Sequence, residues 1–305
     1  MTAPGFPTYE ELRELIILAR TEDLGPDDVT SRLLIEQGAY GAGTLVQKEP
    51  GVTCGLPIVA MVCRCYDERL CMVPIPGSDP DALEGRFTDS RRTPLLRIAG
   101  PMRSLLSAER LVLNFLQRMS GVATATHRYV RQVQGTAAKI TDTRKTIPGH
   151  RLLDKYAVRA GGGVNHRMGL YDGLLVKDNH IAGIPLAELA TRIGRIVARA
   201  RAENATRMVE VEVDTLEQLR EALKVDAIDI ILLDNMDCPS MAEAVRLRDA
   251  AGRRGTLALE ASGGVTLETV RAVAETGVDR IAVGAITHSA PALDIGMDVE
   301  SPDSV

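Results

Sequence analysis

Tryptophan is absent from this 305-residue sequence, and phenylalanine occurs only three times. That leaves little flat surface on which nucleobases could stack. The net charge of -5 also excludes a broad basic face for a phosphate backbone, so nucleic acid is not an expected partner. Long apolar runs are missing too: none approaches the roughly 18 uncharged residues that a bilayer span needs. Met1 to Asp23 carries five acidic residues and no basic segment ahead of an apolar stretch, so no membrane and a cytoplasmic location are expected. Paired cysteine motifs are lacking as well. Four of the five cysteines (Cys54, Cys63, Cys65, Cys71) fall in the first quarter without a CxxC pair and read as reduced core thiols. A zinc set on Cys63, Cys65 and Cys71 fits no common spacing.

What is present is an ordinary globular composition, 45% hydrophobic and 25% charged. The length exceeds the size at which single cores stop growing, which predicts two unequal domains. From about Gln117 the chain beats as strand, turn, amphipathic helix and strand, the pattern of an α/β fold with a parallel sheet. The predicted strands are Lys139–Asp142, Leu174–Lys177, Met208–Val213, Asp229–Asp234, Leu257–Ala261 and Arg280–Gly284. Pro185 opens a helix whose Leu186, Leu189, Ala190, Ile193 and Val197 follow helical spacing. Asp214/Glu217 and Ser240/Glu243 read as capping boxes, and Gly161, Gly252 and Gly277 as left-handed helix ends.

Before that point the chain reads as an α+β layer. It has an opening helix at Tyr9–Ala19, strands near Gly43–Lys48 and Arg97–Ala99, and a loop around Pro74–Gly85. A helix from Ser104 to Ser120 joins the parts, with Leu105, Ala108, Val112, Phe115 and Met119 as its apolar stripe and Gly121 as its stop.

Charged residues end the strands. In a barrel of parallel strands the C-terminal ends gather at one rim, so Arg144, Lys145, Lys177, Glu212 and Asp234 are expected to converge. Thr143 to Lys177 holds seven Arg or Lys against two Asp, a local excess of +5 inside an acidic chain. Arg151, Lys155 and Arg159 lie at helical spacing and read as a solvated face. Arg144, Lys145, Arg167 and Lys177 have too few acidic neighbours, and an anionic ligand resolves the imbalance.

Gly161–Gly163 ahead of Asn165, His166 and Arg167 permits a tight turn close to a ligand, although His166 alone could equally be a core histidine. Ser262-Gly263-Gly264 and Val283-Gly284-Ala285 offer backbone N–H groups of the kind that late barrel loops aim at phosphate. Glu212 and Asp234 are suited either to Mg²⁺ or to salt bridges with Lys145 and Lys177. A strand-end lysine such as Lys177 is also what a Schiff-base aldolase would use.

The ordered motifs carry a resemblance. Thr143-Arg-Lys-Thr with Pro148-Gly149, Lys155-Tyr-Ala-Val-Arg, Gly161-Gly-Gly-Val-Asn-His-Arg and Lys177-Asp-Asn-His resemble quinolinate phosphoribosyltransferases. Ser107-Ala-Glu-Arg, Glu210-Val-Glu-Val, Leu233-Asp-Asn-Met, Ser262-Gly-Gly and Val283-Gly-Ala-Ile-Thr-His-Ser extend it, so that it runs densely from Ser104 to Asp294. Ile147 and His150 depart from the family pattern around Pro148-Gly149, where Thr and an apolar residue are usual. A paralogous molybdenum-associated group shares much of the pattern, but the complete Arg/Lys set favours the biosynthetic enzyme.

The resemblance implies an N-terminal open α/β sandwich followed by an incomplete parallel α/β barrel, with domains at 1–116 (joined by 289–305) and 117–288. It implies phosphoribosyl transfer from phosphoribosyl pyrophosphate to quinolinate with loss of CO2, in de novo NAD biosynthesis, and a requirement for Mg²⁺. Arg144, His166, Arg167 and Lys177 would hold the quinolinate carboxylates. Lys145, Glu212 and Asp234 would serve ribose, pyrophosphate and metal, and the catalytic set would be Lys145, Lys177, Glu212 and Asp234. Ser262, Gly263 and Gly284 would take the 5′-phosphate, with Thr143, Gly264, Val283 and His288 completing the substrate contacts. Arg110 would come from the partner in a homodimer with shared sites, a higher homo-oligomer being left open.

Overall fold

A computed structural model describes residues 5–75, 77, 79–203 and 208–300. Residues 1–4 and 301–305 of the expected N-terminal domain, and Pro76 and Ser78 of the predicted Pro74–Gly85 loop, lie outside the described residues.

The described residues fold as two units: those within 5–127, 146–162 and 289–300 form the first, and those within 128–145 and 163–288 the second. Compared with the expected boundary, 117–127 and 146–162 group with the first unit. For 117–127 the physical reason is one continuous helix, Met102–Gln132, which runs straight through Gly121. Gly121 is therefore no stop signal. A Cβ there would lie 2.0 Å from the Pro291 carbonyl oxygen, so glycine admits the backbone of the returning C-terminal segment. The predicted stripe is buried as expected, with Leu105, Ala108, Val112, Phe115 and Met119 each at most 3% exposed.

Strands β1 (Tyr40–Gln47), β2 (Gly51–Val52), β3 (Cys71–Val73), β4 (Phe87–Thr88) and β5 (Thr93–Pro101) precede that helix. The second unit contributes β6 (Lys139–Thr141), β7 (Leu174–Val176), β8 (Val209–Val213), β9 (Ile230–Asp234), β10 (Ala258–Ser262) and β11 (Arg280–Ala282), and β12 (Ile295–Val299) returns to the first. In the first unit β12-β1-β5-β3 make a four-stranded antiparallel sheet, and β2 pairs with β4. The opening helix is Tyr9–Leu24, and the predicted Pro74–Gly85 loop carries a short helix at Pro80–Leu83.

In the second unit the order is β6-β11-β10-β9-β8-β7, all parallel, as in an incomplete α/β barrel. Its strands agree with the predicted ones to within two residues at each end. Each is short and apolar because both faces are covered: every residue of Val209–Val213 is buried, including Glu210 and Glu212.

Several local expectations are corrected. Thr215 and Asp237, rather than Asp214 and Ser240, cap their helices by accepting from the backbone N–H of Gln218 and Ser240. Gly161 has φ -77°, and the left-handed residue is Gly162 at +88°. A Cβ at Gly161 would sit 2.3 Å from the Ala123 carbonyl, so this glycine serves close packing. Lys155 is fully buried rather than solvated, while Arg159 remains exposed. All five cysteines are free thiols, but only Cys54 and Cys63 are core; Cys71 is exposed. His150, one of the departures noted above, stacks on Phe115 at 5.9 Å, and burial lowers its pKa, with Asp154 opposing and Arg118 reinforcing the shift. A neutral ring there packs as an apolar residue would. Among the described residues no helix is long and apolar enough to cross a membrane.

Candidate active site

The C-terminal ends of the six parallel strands open onto a cavity of about 690 Å³. It is lined by Arg144 and Lys145 after β6, His166 and Arg167 from the glycine turn, and Lys177 after β7. Glu212 of β8 and Asp234 of β9 join them, with Ser262–Gly264 after β10 and Val283–Gly284 after β11. Thr143 and His288 line it too. The convergence follows from parallel register: Ser262 pairs with Asp234, and Glu212 with Leu232, so residues distant in sequence reach one rim. Arg110 lies on Met102–Gln132 and does not line this cavity.

Cations crowd one side. Arg167 donates to the Gly173 carbonyl at 2.9 Å, and its pKa is lowered by burial and then by the charge of Arg144. Glu210 and Asp172 oppose that shift, and an anion beside the two guanidiniums would favour the charge of Arg167 further. Lys177 Nζ stands 3.3 Å from Glu212 Oε2 and is 47% exposed, whereas a Schiff-base lysine is activated by an apolar pocket or a cationic neighbour. The salt-bridge reading of Glu212 thus holds for Lys177 in this conformation.

Across the cavity the backbone is shaped for close approach. Gly263 and Gly264 have φ of +98° and +59°, and a Cβ on Gly263 would lie 2.1 Å from Asn235 Oδ1. Asn235, which also lines the cavity, is itself left-handed at φ 52° and donates its backbone N–H to the Ser262 carbonyl. Gly284 leaves room for the Lys145 stem and the His288 ring, each 3.1 Å from where its Cβ would be. The Val283 N–H is spent on the Thr141 carbonyl, which leaves Gly284 and Ala285 as the part of that turn to consider for a ligand.

Carboxylates gather beside Lys177. Asp214 has a raised pKa, first from burial and then from the charges of Asp234 and Asp178. Of these neighbours Asp234 lines the cavity, and Glu212 and Asp234 supply oxygens on adjacent strands that suit a cation. A second donor set, His166, Glu210 and Glu260, has its ligand atoms within 4.8 Å of one another. There His166 Nε2 is already 2.8 Å from Glu210. Burial opposes a charge on His166, yet the nearby carboxylates of Glu210 and Glu260 together raise its pKa.

Sequence reasoning omitted Glu260 and Asn235, which line the cavity, and Glu210 behind His166. Asn235 falls within the quoted Leu233-Asp-Asn-Met motif, but Glu260 lies mid-strand and carries no local signal.

Two family profiles cover the chain: "Quinolinate phosphoribosyl transferase, N-terminal domain" at residues 28–120 and the corresponding C-terminal domain at residues 122–298. The chain belongs to the quinolinate phosphoribosyltransferase family. It is 43% identical over 299 residues to the nicotinate-nucleotide pyrophosphorylase [carboxylating] of Mycobacterium leprae (strain TN), covering 95% of this chain and 98% of that one. The probable enzyme of that name from Bacillus subtilis (strain 168) is 40% identical over 289 residues, covering 95% and 93%. Among solved structures of this quinolinate phosphoribosyltransferase fold, the Francisella tularensis nicotinate-nucleotide pyrophosphorylase superposes with a TM-score of 0.84 at 33% identity, covering 98% of this chain and 100% of that one.

Proposed function

We propose that this cavity transfers the phosphoribosyl group of phosphoribosyl pyrophosphate to quinolinate, giving nicotinate mononucleotide, pyrophosphate and CO2 for NAD biosynthesis in the cytoplasm. The observation that carries the reading is the crowding of Arg144 and Arg167 in a cavity that also holds Lys145 and Lys177. Quinolinate, with two adjacent carboxylates, is the kind of ligand that balances such a cluster.

In the reaction the bond between ribose C1′ and the pyrophosphate oxygen breaks as the quinolinate ring nitrogen bonds to C1′. Lys145 would neutralise charge growing on the leaving group, and Lys177 and the two arginines would hold the carboxylates. Ser262, Gly263, Gly264 and Gly284 would cradle the 5′-phosphate through their backbone. The ring, now a pyridinium, accepts the electron pair left when the C2 carboxylate departs as CO2, and C2 then takes up a proton. No covalent nucleophile is required. Glu212 and Asp234 would hold Mg²⁺, which supplies charge neutralisation to phosphate oxygens when bound. Arg110 would reach the site of the other subunit in a homodimer.

Purified protein given quinolinate, phosphoribosyl pyrophosphate and Mg²⁺ is expected to release CO2, and nicotinic acid is not expected to replace quinolinate. Turnover of nicotinic acid alone would sink the assignment.

A further inference from the structure

Three fully buried carboxylates surround His166, and the reaction as described uses none of them. Asp142 follows β6, Glu210 lies in β8 and Glu260 in β10, and each is 0% exposed. Asp142 accepts the backbone N–H of His166 at 2.8 Å through Oδ1 and the side-chain amide of Asn165 at 2.6 Å through Oδ2. Glu210 Oε2 lies 2.8 Å from His166 Nε2 and Glu260 Oε1 lies 3.5 Å from the same atom, while Arg280 donates to Glu260 Oε2 at 2.6 Å. The other ring nitrogen, Nδ1, accepts the backbone N–H of Arg167 at 2.7 Å. An accepting Nδ1 leaves the proton on Nε2, where it meets Glu210.

These charges sit where they do the least good for binding alone. Carboxylates beside an anion-binding cavity repel its ligand, and burying them removes their hydration. Replacing one by its neutral amide should, on those grounds, tighten anion binding. Their common feature is instead what they hold: His166, by its backbone N–H or its ring, and through Nδ1 the backbone of Arg167.

Resting on the proposed quinolinate reaction, we infer that Asp142, Glu210 and Glu260 are positioning residues that clamp His166 and thereby aim Arg167 at the substrate carboxylates. Asp142 fixes the turn, Glu210 faces the ring at Nε2, and Glu260, anchored by Arg280, stands behind the same nitrogen.

The test begins with wild-type turnover of quinolinate, so that failure of the parent reading is seen separately. Glu210→Gln and Glu260→Gln are then expected to raise the KM for quinolinate about tenfold, as loss of a supporting charge contact behind a binding side chain does, with the KM for phosphoribosyl pyrophosphate unchanged. Unchanged or tighter quinolinate binding in both variants would overturn the clamp. Imidazole ¹⁵N spectra of the wild-type protein should show His166 as the Nε2–H tautomer, and the opposite tautomer overturns the proposal independently of turnover. Should a glutamate variant fail to fold, Asp142→Asn serves: it should weaken quinolinate binding, and adding Asn165→Asp, which restores a donor facing an acceptor, should recover at least threefold of the loss. No recovery in the double variant would equally defeat the idea.

Discussion

Two charge clusters, one in each unit, are arranged in opposite ways. In the first, Arg118 donates to Asp154 through Nε and Nη2, at 3.2 and 3.0 Å, with Asp154 fully buried. Glu84 accepts from the backbone N–H groups of Gly55 and Leu56 and from the Tyr156 hydroxyl, and its pKa is raised because burial outweighs those bonds. These carboxylates are closed upon protein donors and serve the fold. In the second unit Arg167 feels the charge of Arg144, and Asp214 feels Asp234 and Asp178. Like charges drawn together near a cavity suit a ligand of opposite sign, whereas a pair closed upon itself in a core serves the fold.

That contrast can be broken by removing one member of each kind. Asp154→Ala strands Arg118 and is expected to lower unfolding stability by about 3–5 kcal/mol, read by urea titration. If its stability were unchanged, the closed pair would not be structural. Arg167→Ala should leave stability near wild type but lower kcat/KM for quinolinate by about 2–5 kcal/mol, which is roughly 30-fold to several-thousand-fold. A fall in melting temperature matching the loss of activity would erase the distinction between the units.

The smallest expected effect concerns Asp67 in the first unit, whose pKa is held well below the carboxylate range chiefly by its hydrogen bond from Arg69, with Ser104 also donating. A depressed native pKa stabilises above the unfolded carboxylate value and loses that contribution as pH falls through the native one. Asp67→Asn should therefore be less stable than wild type at neutral pH, and the gap should narrow as pH falls towards about 2. Because Arg69 is 64% exposed, the gap should be much smaller than that of Asp154→Ala. A gap that widens in acid would contradict the sign.

Much of the barrel was legible because its signals are local. Apolar runs such as Ile230–Leu233, ended by Asp234, report both a covered strand and a charged rim without any knowledge of neighbours. The cations of the candidate site were legible for the same reason. Gly121 was misread because a helix-stop glycine and a glycine under a crossing backbone look alike in sequence, and only the Pro291 carbonyl distinguishes them. Helix caps slipped by one to three residues because several adjacent side chains can each accept the same N–H groups. Lys155 was taken for a surface residue because helical spacing does not say which face is covered.

By itself the sequence determined the βα period, the element types and the sign of charge at each strand end, since all of these depend on neighbours within a few residues. Tertiary structure alone decided which charges close upon one another. Arg118 finds Asp154 across 36 positions, and His166 is met by carboxylates from three different strands or strand ends. Whether a buried charge is a brace or half of a binding site is a matter of ångström-scale distance to its partner, and strand pairing sets that distance.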